Sequence, residues 1–311
     1  MSLDAVVLFF IFGVIIKLAK VDFTFPRGLS QSLMLILLLA IGLKGGIALK
    51  SHANLELVLQ GLAVVMIGVI IPLIAFPILR YFGEIDKTNA ASIAAHYGSV
   101  SVGTFAVAIA VLESQNIAYE SYFPLFVVLL EIPAIAVGIW LAQKQGQQRM
   151  SELMHEMFLN AGVVLMLGGL VIGFSANESI DQIMPLFKNL FSGVLALFLL
   201  EMGLIAASRA KELQQNGLFV IAFAMLMPLL GATLGATVGT ALLGLSTGGV
   251  ALLAVLAASA SYIAVPAAMR VALPQANHSL SIASSLGVTF PFNVLIGIPL
   301  YLLLAQSLTT L

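Results

Sequence analysis

Ala94-Ala-His-Tyr-Gly-Ser-Val-Ser-Val-Gly-Thr104 and Ala257-Ala-Ser-Ala-Ser-Tyr-Ile-Ala-Val-Pro266 are two small-residue interruptions set inside long apolar runs. In the first, Gly98 and Gly103 bracket two serines and weaken any helix that passes through. In the second, Pro266 cannot donate to the helix ladder. Each interruption falls near the middle of a segment long enough to cross a bilayer. Backbone broken at that depth must find its partners in protein, in a ligand or in a water-filled cavity. The expected fold is therefore an all-α polytopic membrane protein in which two spans are interrupted at mid-bilayer.

The rest of the chain fits that environment. Of 311 residues, 61% are apolar and 9% are charged, where a soluble domain carries roughly 25% charged residues. There is too little polar surface to coat a water-facing globule, and the net charge of −1 gives no basic field for nucleic acid. Cysteine is absent, which excludes disulfides and thiolate metal sites. Apolar segments of roughly 20 residues recur between short polar breaks at 3–19, 30–49, 55–82, 89–112, 121–143, 156–175, 184–207, 215–243, 248–271 and 279–306. The first run has no basic residues before it and Lys17 and Lys20 after it, so it reads as a retained helix rather than a cleaved signal. Pro72 and Pro77 in the third span and Pro228 in the eighth predict kinks.

Orientation follows from lysine and arginine. With the N-terminus outside, the inner loops and flanks hold ten: Lys17, Lys20, Arg27, Arg80, Lys87, Lys144, Arg149, Arg209, Lys211 and Arg270. The outer side holds Lys44, Lys50 and Lys188. That asymmetry is a positive-inside bias. It places both termini outside and the polar link 144–155 in the cytoplasm. Five spans then precede the link, in residues 1–143, and five follow it, in residues 156–311. An odd count inverts the second half. Leu39-Ala-Ile-Gly-Leu43 falls on Leu200-Glu-Met-Gly-Leu204, Ser99-Val-Ser101 on Ser259-Ala-Ser261, and Pro133 on Pro291, at offsets of 161, 160 and 158 residues. A five-plus-five inverted repeat with interrupted spans four and nine is a mark of secondary transporters.

Free N–H groups and positive dipole ends at two half-helix N-termini suit a small anion, and the opposing carbonyl ends suit a small cation. The anion candidates are Gly98, Ser99, Val100, Ser101, Ser259, Ala260, Ser261 and Tyr262. Small residues at this spacing also serve close helix packing, and their recurrence at repeat-related positions is what favours a site. Glu131, two residues before Pro133, sits mid-way along span five. A charge there costs about 2.5–3.5 kcal/mol on insertion scales, so it marks function by default. With Asn293 and Thr104 it forms the candidate sodium set. Lys44 reads as extending to the membrane surface, and Glu201 either as lining a cytoplasmic cavity or as a snorkelled or protonated side chain. His96 lies three residues before Ser99, which raises a serine-protease reading. The Gly-x-Ser-x-Gly elbow is missing, and His52, His155 and His278 fall at helix ends or loops. His96 and Tyr97 read instead as a gate or cavity wall, and the chain as not an enzyme. No Walker-type motif is present, so ATP is not the direct driver.

Ala40-Ile-Gly-Leu-Lys-Gly-Gly46, His96-Tyr-Gly-Ser-Val-Ser101 and Ser259-Ala-Ser-Tyr-Ile-Ala-Val-Pro-Ala-Ala-Met-Arg270 resemble the sodium-dependent bicarbonate transporters of cyanobacteria, the SbtA type. The resemblance runs along essentially the whole chain. It implies sodium–bicarbonate symport across the plasma (inner) membrane, with sodium as coupling ion and no other cofactor. It also implies a homotrimer and control by a PII-like regulatory protein on the cytoplasmic side. The central link is much shorter than in the best-known members, which puts regulatory input through it in question. Bicarbonate suits the residues: it is small and singly charged, and hydroxyls with backbone N–H groups match it without a buried arginine. Competing readings are sodium-coupled transport of another small anion, such as a short carboxylate, and a membrane sensor that transports nothing. A topology reporter at residue 147 is expected on the cytoplasmic side; an external signal would overturn the arrangement of spans.

Overall fold

A computed structural model of the chain describes residues 5–142, 161–176, 179–213 and 217–310. The expected link 144–155 lies outside the described residues. The elements are α1 (Ala5–Leu18), α2 (Arg27–His52), α3 (Leu55–Phe82), α4 (Lys87–Gly98), α5 (Val102–Ser114), α6 (Phe123–Ala142) and α7 (Ala161–Ser175), followed by α8 (Ile180–Leu213), α9 (Leu218–Ala241), α10 (Thr247–Ala258), α11 (Ala264–Ala272) and α12 (His278–Thr309). No strand occurs among the described residues. Among the described residues, seven stretches are long and apolar enough to cross a membrane; one of these, Lys87–Ser114, contains α4 and α5. Three further helices, α1, α7 and α10, are apolar and shorter. The chain is an all-helical polytopic membrane protein.

Helix starts are set by side chains that satisfy first-turn N–H groups. Asn54 accepts from Leu57 N at 2.8 Å, Asp86 from Thr88 N and Asn89 N at 3.1 Å each, and Asn277 from Leu280 N at 3.1 Å. At the start of α10, Ser246 Oγ accepts from Gly249 N at 3.1 Å, and the Glu120 carboxylate accepts from Ser246 N at 2.7 Å. That bond ties the loop after α5 to α10. Pro72, Pro77 and Pro228 lie inside helices, and the turn after Pro77, Ile78–Phe82, widens to π geometry. α12 carries two π segments, Ser285–Thr289 and Asn293–Gly297, on either side of Phe290–Phe292 with Pro291 at its centre. A missing proline N–H interrupts the hydrogen-bond ladder, and π turns of this kind gather at functional sites.

The helices pack in two groups. In one, α2 lies against α7, α1 against α8, and α2 against α8. In the other, α3, α4 and α6 pack together, and α9, α10 and α12 pack together. The first group is joined through glycine. A Cβ on Gly42 would meet Met166 O, Gly169 Cα and Leu170 N, and one on Gly203 would meet Phe10 O, Gly13 Cα and Val14 N. Without a hydrophobic force between helices in lipid, such backbone-on-backbone approach supplies the attraction. Gly42→Val and Gly203→Val should each lower the melting temperature of the detergent-solubilised protein, at an overpacking cost of roughly 1–3 kcal/mol. Gly168→Ala, whose Cβ meets nothing within 4 Å, should leave it unchanged.

Candidate functional site

α4 stops at Gly98 and α5 starts at Val102, while α10 stops at Ala258 and α11 starts at Ala264. Between them Ser99, Ser101 and Ser259 have extended backbone. Part of each restart is capped from within. Ser101 Oγ accepts from Thr104 N at 3.1 Å and from Thr104 Oγ1 at 2.9 Å, and Ser261 Oγ accepts from Val265 N at 3.3 Å. The remaining bonds cross between the breaks. Ser101 N donates to Ser259 Oγ at 3.0 Å, and Ser261 N donates to His96 O at 2.8 Å. Asn293 Nδ2, from the second π segment of α12, donates to Ala258 O at 2.9 Å at the open end of α10, and Tyr301 OH donates to Asn293 Oδ1 at 2.8 Å. The two breaks therefore face one another and complete each other's hydrogen bonds.

Gly98 and Gly103 do more than loosen the helix. A Cβ on Gly98 would lie 2.5 Å from Pro72 Cδ, and one on Gly103 would lie 2.5 Å from the Tyr262 hydroxyl. Glycine is what lets α3 and Tyr262 close on the break. Ser99, Ser101, Ser259 and Ser261 are all buried. Ser99 Oγ, Tyr262 OH and His96 Nε2 are buried with no hydrogen-bond partner. Buried polar atoms in native proteins almost always have partners, and of these three the Tyr262 hydroxyl is the one whose residue lines a cavity.

A small cavity of about 20 Å³ opens beside the breaks, enough for a water or an ion of that size. Of the anion candidates, Val100, Ser101, Ser261 and Tyr262 line it. Gly98, Ser99, Ser259 and Ala260 are not on its wall. Of the sodium candidates, only Glu131 lines it. Thr104 is turned to Ser101, and both ends of the Asn293 amide are engaged with Ala258 and Tyr301. Met34, Leu38 and Phe198 form the facing wall, so the cavity lies between the two helix groups.

Other residues fall differently from their sequence reading. Tyr97 OH pairs with Thr289 Oγ1 at 2.7 Å, and that hydroxyl donates to Ala224 O at 2.7 Å, which ties α4 to α12 and α9. Since a carbonyl only accepts, His96 Nδ1 is the donor to Ser92 O at 2.7 Å. Glu201 accepts from Ser30 Oγ, which links α8 to α2. Lys44 does not simply extend to the surface; it ion-pairs with Glu113. Tyr301 and Pro72 carry no sequence signal of their roles, because each acts through a neighbour far along the chain.

Two opposed, cross-bonded helix breaks beside a small, largely apolar cavity that Ser101, Ser261 and Glu131 also line are features of a membrane protein of the transporter class. The chain belongs to the Na+-dependent bicarbonate transporter superfamily, whose family model matches residues 5–306. No curated protein matches it.

Asn293→Ala should strand both Ala258 O and the Tyr301 hydroxyl. The expected loss of stability is about 1–3 kcal/mol per buried group left unpaired. Tyr301→Phe, which removes one donor and leaves the carbonyl bond, should cost less. Thermal unfolding of the purified proteins checks the order.

Proposed function

We propose that this chain is a secondary active symporter that couples bicarbonate uptake to sodium entry. The observation that carries the reading is the cross-bonded pair of breaks, Ser101 N on Ser259 Oγ and Ser261 N on His96 O, beside a cavity that Glu131 enters. The anion is held by the hydroxyls of Ser101, Ser261 and Tyr262, which line the cavity, since the Ser101 and Ser261 amides already donate to Ser259 Oγ and His96 O. Sodium sits beside it, with Glu131 as the carboxylate that balances its charge. Thr104 and Asn293 we assign to holding the breaks in shape, since their polar atoms are already engaged. An unpaired anion at mid-bilayer is costly, and a neighbouring cation lowers that cost. Another small anion, such as a short carboxylate, is the alternative reading of the same groups.

The architecture we propose is ten spans in two inverted halves, residues 1–143 and 156–311, joined by a cytoplasmic link at 144–155. Support comes from the two glycine crossings. Gly42 meets the backbone of α7 as Gly203 meets the backbone of α1, with partners displaced by 156 residues in each case (Phe10, Gly13 and Val14 against Met166, Gly169 and Leu170). Both termini are placed outside the inner membrane by the lysine and arginine distribution. A homotrimer and a PII-like partner follow from the family resemblance alone.

Uptake of labelled bicarbonate by proteoliposomes should require an inward sodium gradient. In binding measurements, sodium should raise bicarbonate affinity and bicarbonate should raise sodium affinity by the same factor. Bicarbonate binding that persists unchanged across sodium concentrations would exclude adjacent sites. Ser101→Ala and Ser261→Ala should each weaken uptake without abolishing it, because the other lining hydroxyls remain.

A further inference from the structure

A second, larger cavity of about 380 Å³ lies apart from the helix breaks. It is aligned with the smaller one along the same three helices. On α2, Leu38 lines the inner cavity and Lys44 the larger one; on α5, Gly103 and Glu113 do so; on α8, Phe198 and Phe191. At 1.5 Å per residue these pairs stand about 9–15 Å apart along their helices. The larger cavity is at the Lys44 end, which the charge distribution assigns to the outside.

Its polar groups form a small receptor. Lys44 Nζ and Tyr119 OH both donate to the same oxygen of Glu113, the phenol at 2.8 Å, and Lys44 also donates to the Tyr119 oxygen at 3.1 Å. Burial raises the Tyr119 hydroxyl above its usual range, so the phenol stays protonated and remains a donor. Lys188, a second cation, and Asp181 line the same cavity. The Lys44 and Glu113 side chains are 47% and 46% exposed. An ion pair this open contributes little to stability, and its carboxylate can be exchanged for an anion from solvent.

Bicarbonate presents the same planar O–C–O edge as a carboxylate. We propose that the outer cavity is a capture site for the substrate anion, where bicarbonate replaces the Glu113 carboxylate on Lys44 and Tyr119 before moving to the helix breaks. Glu113 is then an internal competitor that keeps the site occupied when substrate is scarce. This rests on the symport reading for the identity of the anion and the direction of travel.

A structural ion pair and a capture site make opposite demands on its two members. In proteoliposomes, Lys44→Gln should raise the KM for bicarbonate roughly two- to fivefold, the range of an exposed ion pair, with kcat nearly unchanged. Glu113→Gln should lower KM, because the competitor is gone. If both variants raise KM alike, or neither moves it, the capture site is wrong. A second readout is independent of transport: labelling of Lys44 by a membrane-impermeant amine reagent added outside. Bicarbonate should slow that labelling, more strongly in Glu113→Gln, and should leave Lys50 labelling unchanged. Unprotected Lys44 in a protein that still takes up bicarbonate overturns the capture site alone. Protection of Lys44 in a protein without sodium-dependent uptake supports the capture site and overturns the symport reading.

Discussion

The structure depends on one constraint: inside a bilayer no water is available to satisfy a broken helix. A helix end at that depth leaves donors or acceptors that cost several kcal/mol each if unpaired. Here each break is the other's partner. Ser101 N reaches Ser259 Oγ, Ser261 N reaches His96 O, and Asn293 covers the open carbonyl of Ala258. Asn293 reaches α10 from a π segment of α12 just after Pro291, whose missing N–H interrupts the helix ladder.

The same economy explains the small residues. Gly98 and Gly103 admit Pro72 and the Tyr262 hydroxyl, and Gly42 and Gly203 admit neighbouring backbone. Close glycine crossings occur in both groups, since Gly231 and Gly235 of α9 likewise admit the backbone of α10, and the second group adds the two glycines at the break. The smaller cavity lies where they meet. Its wall joins Ser101, Ser261 and Glu131 from one group to Met34, Leu38 and Phe198 from the other. A site formed between two packed groups changes when they shift, which is the geometry that alternating access requires. The Lys44–Glu113 pair joins α2 to α5.

Much of this was legible in the chain. Apolar runs near bilayer length set the helices to within a few residues, because hydrophobic thickness is fixed by lipid. Gly98, Gly103 and Pro266 located both interruptions, because their backbone chemistry acts locally. The repeat offsets singled out Gly42 and Gly203, although only the packing shows that each meets the backbone of a different helix. Glu131 stood out because a carboxylate at that depth is expensive wherever it points.

What the sequence determined by itself was the set of interactions that act over a turn of helix or across a uniform solvent: helix spans, their charge asymmetry, and the weak points at Ser99–Ser101 and Ser259–Ser261. The tertiary structure alone decided which polar atoms are occupied and which are open. It turned Thr104 and Asn293 inward to cap the breaks, left Ser99 Oγ and Tyr262 OH without partners, and ended Lys44 on a carboxylate 69 residues away. These outcomes depend on distances between residues far apart in the chain. A hydrogen bond exists or fails over a few tenths of an ångström, and no local pattern of residue types carries that information.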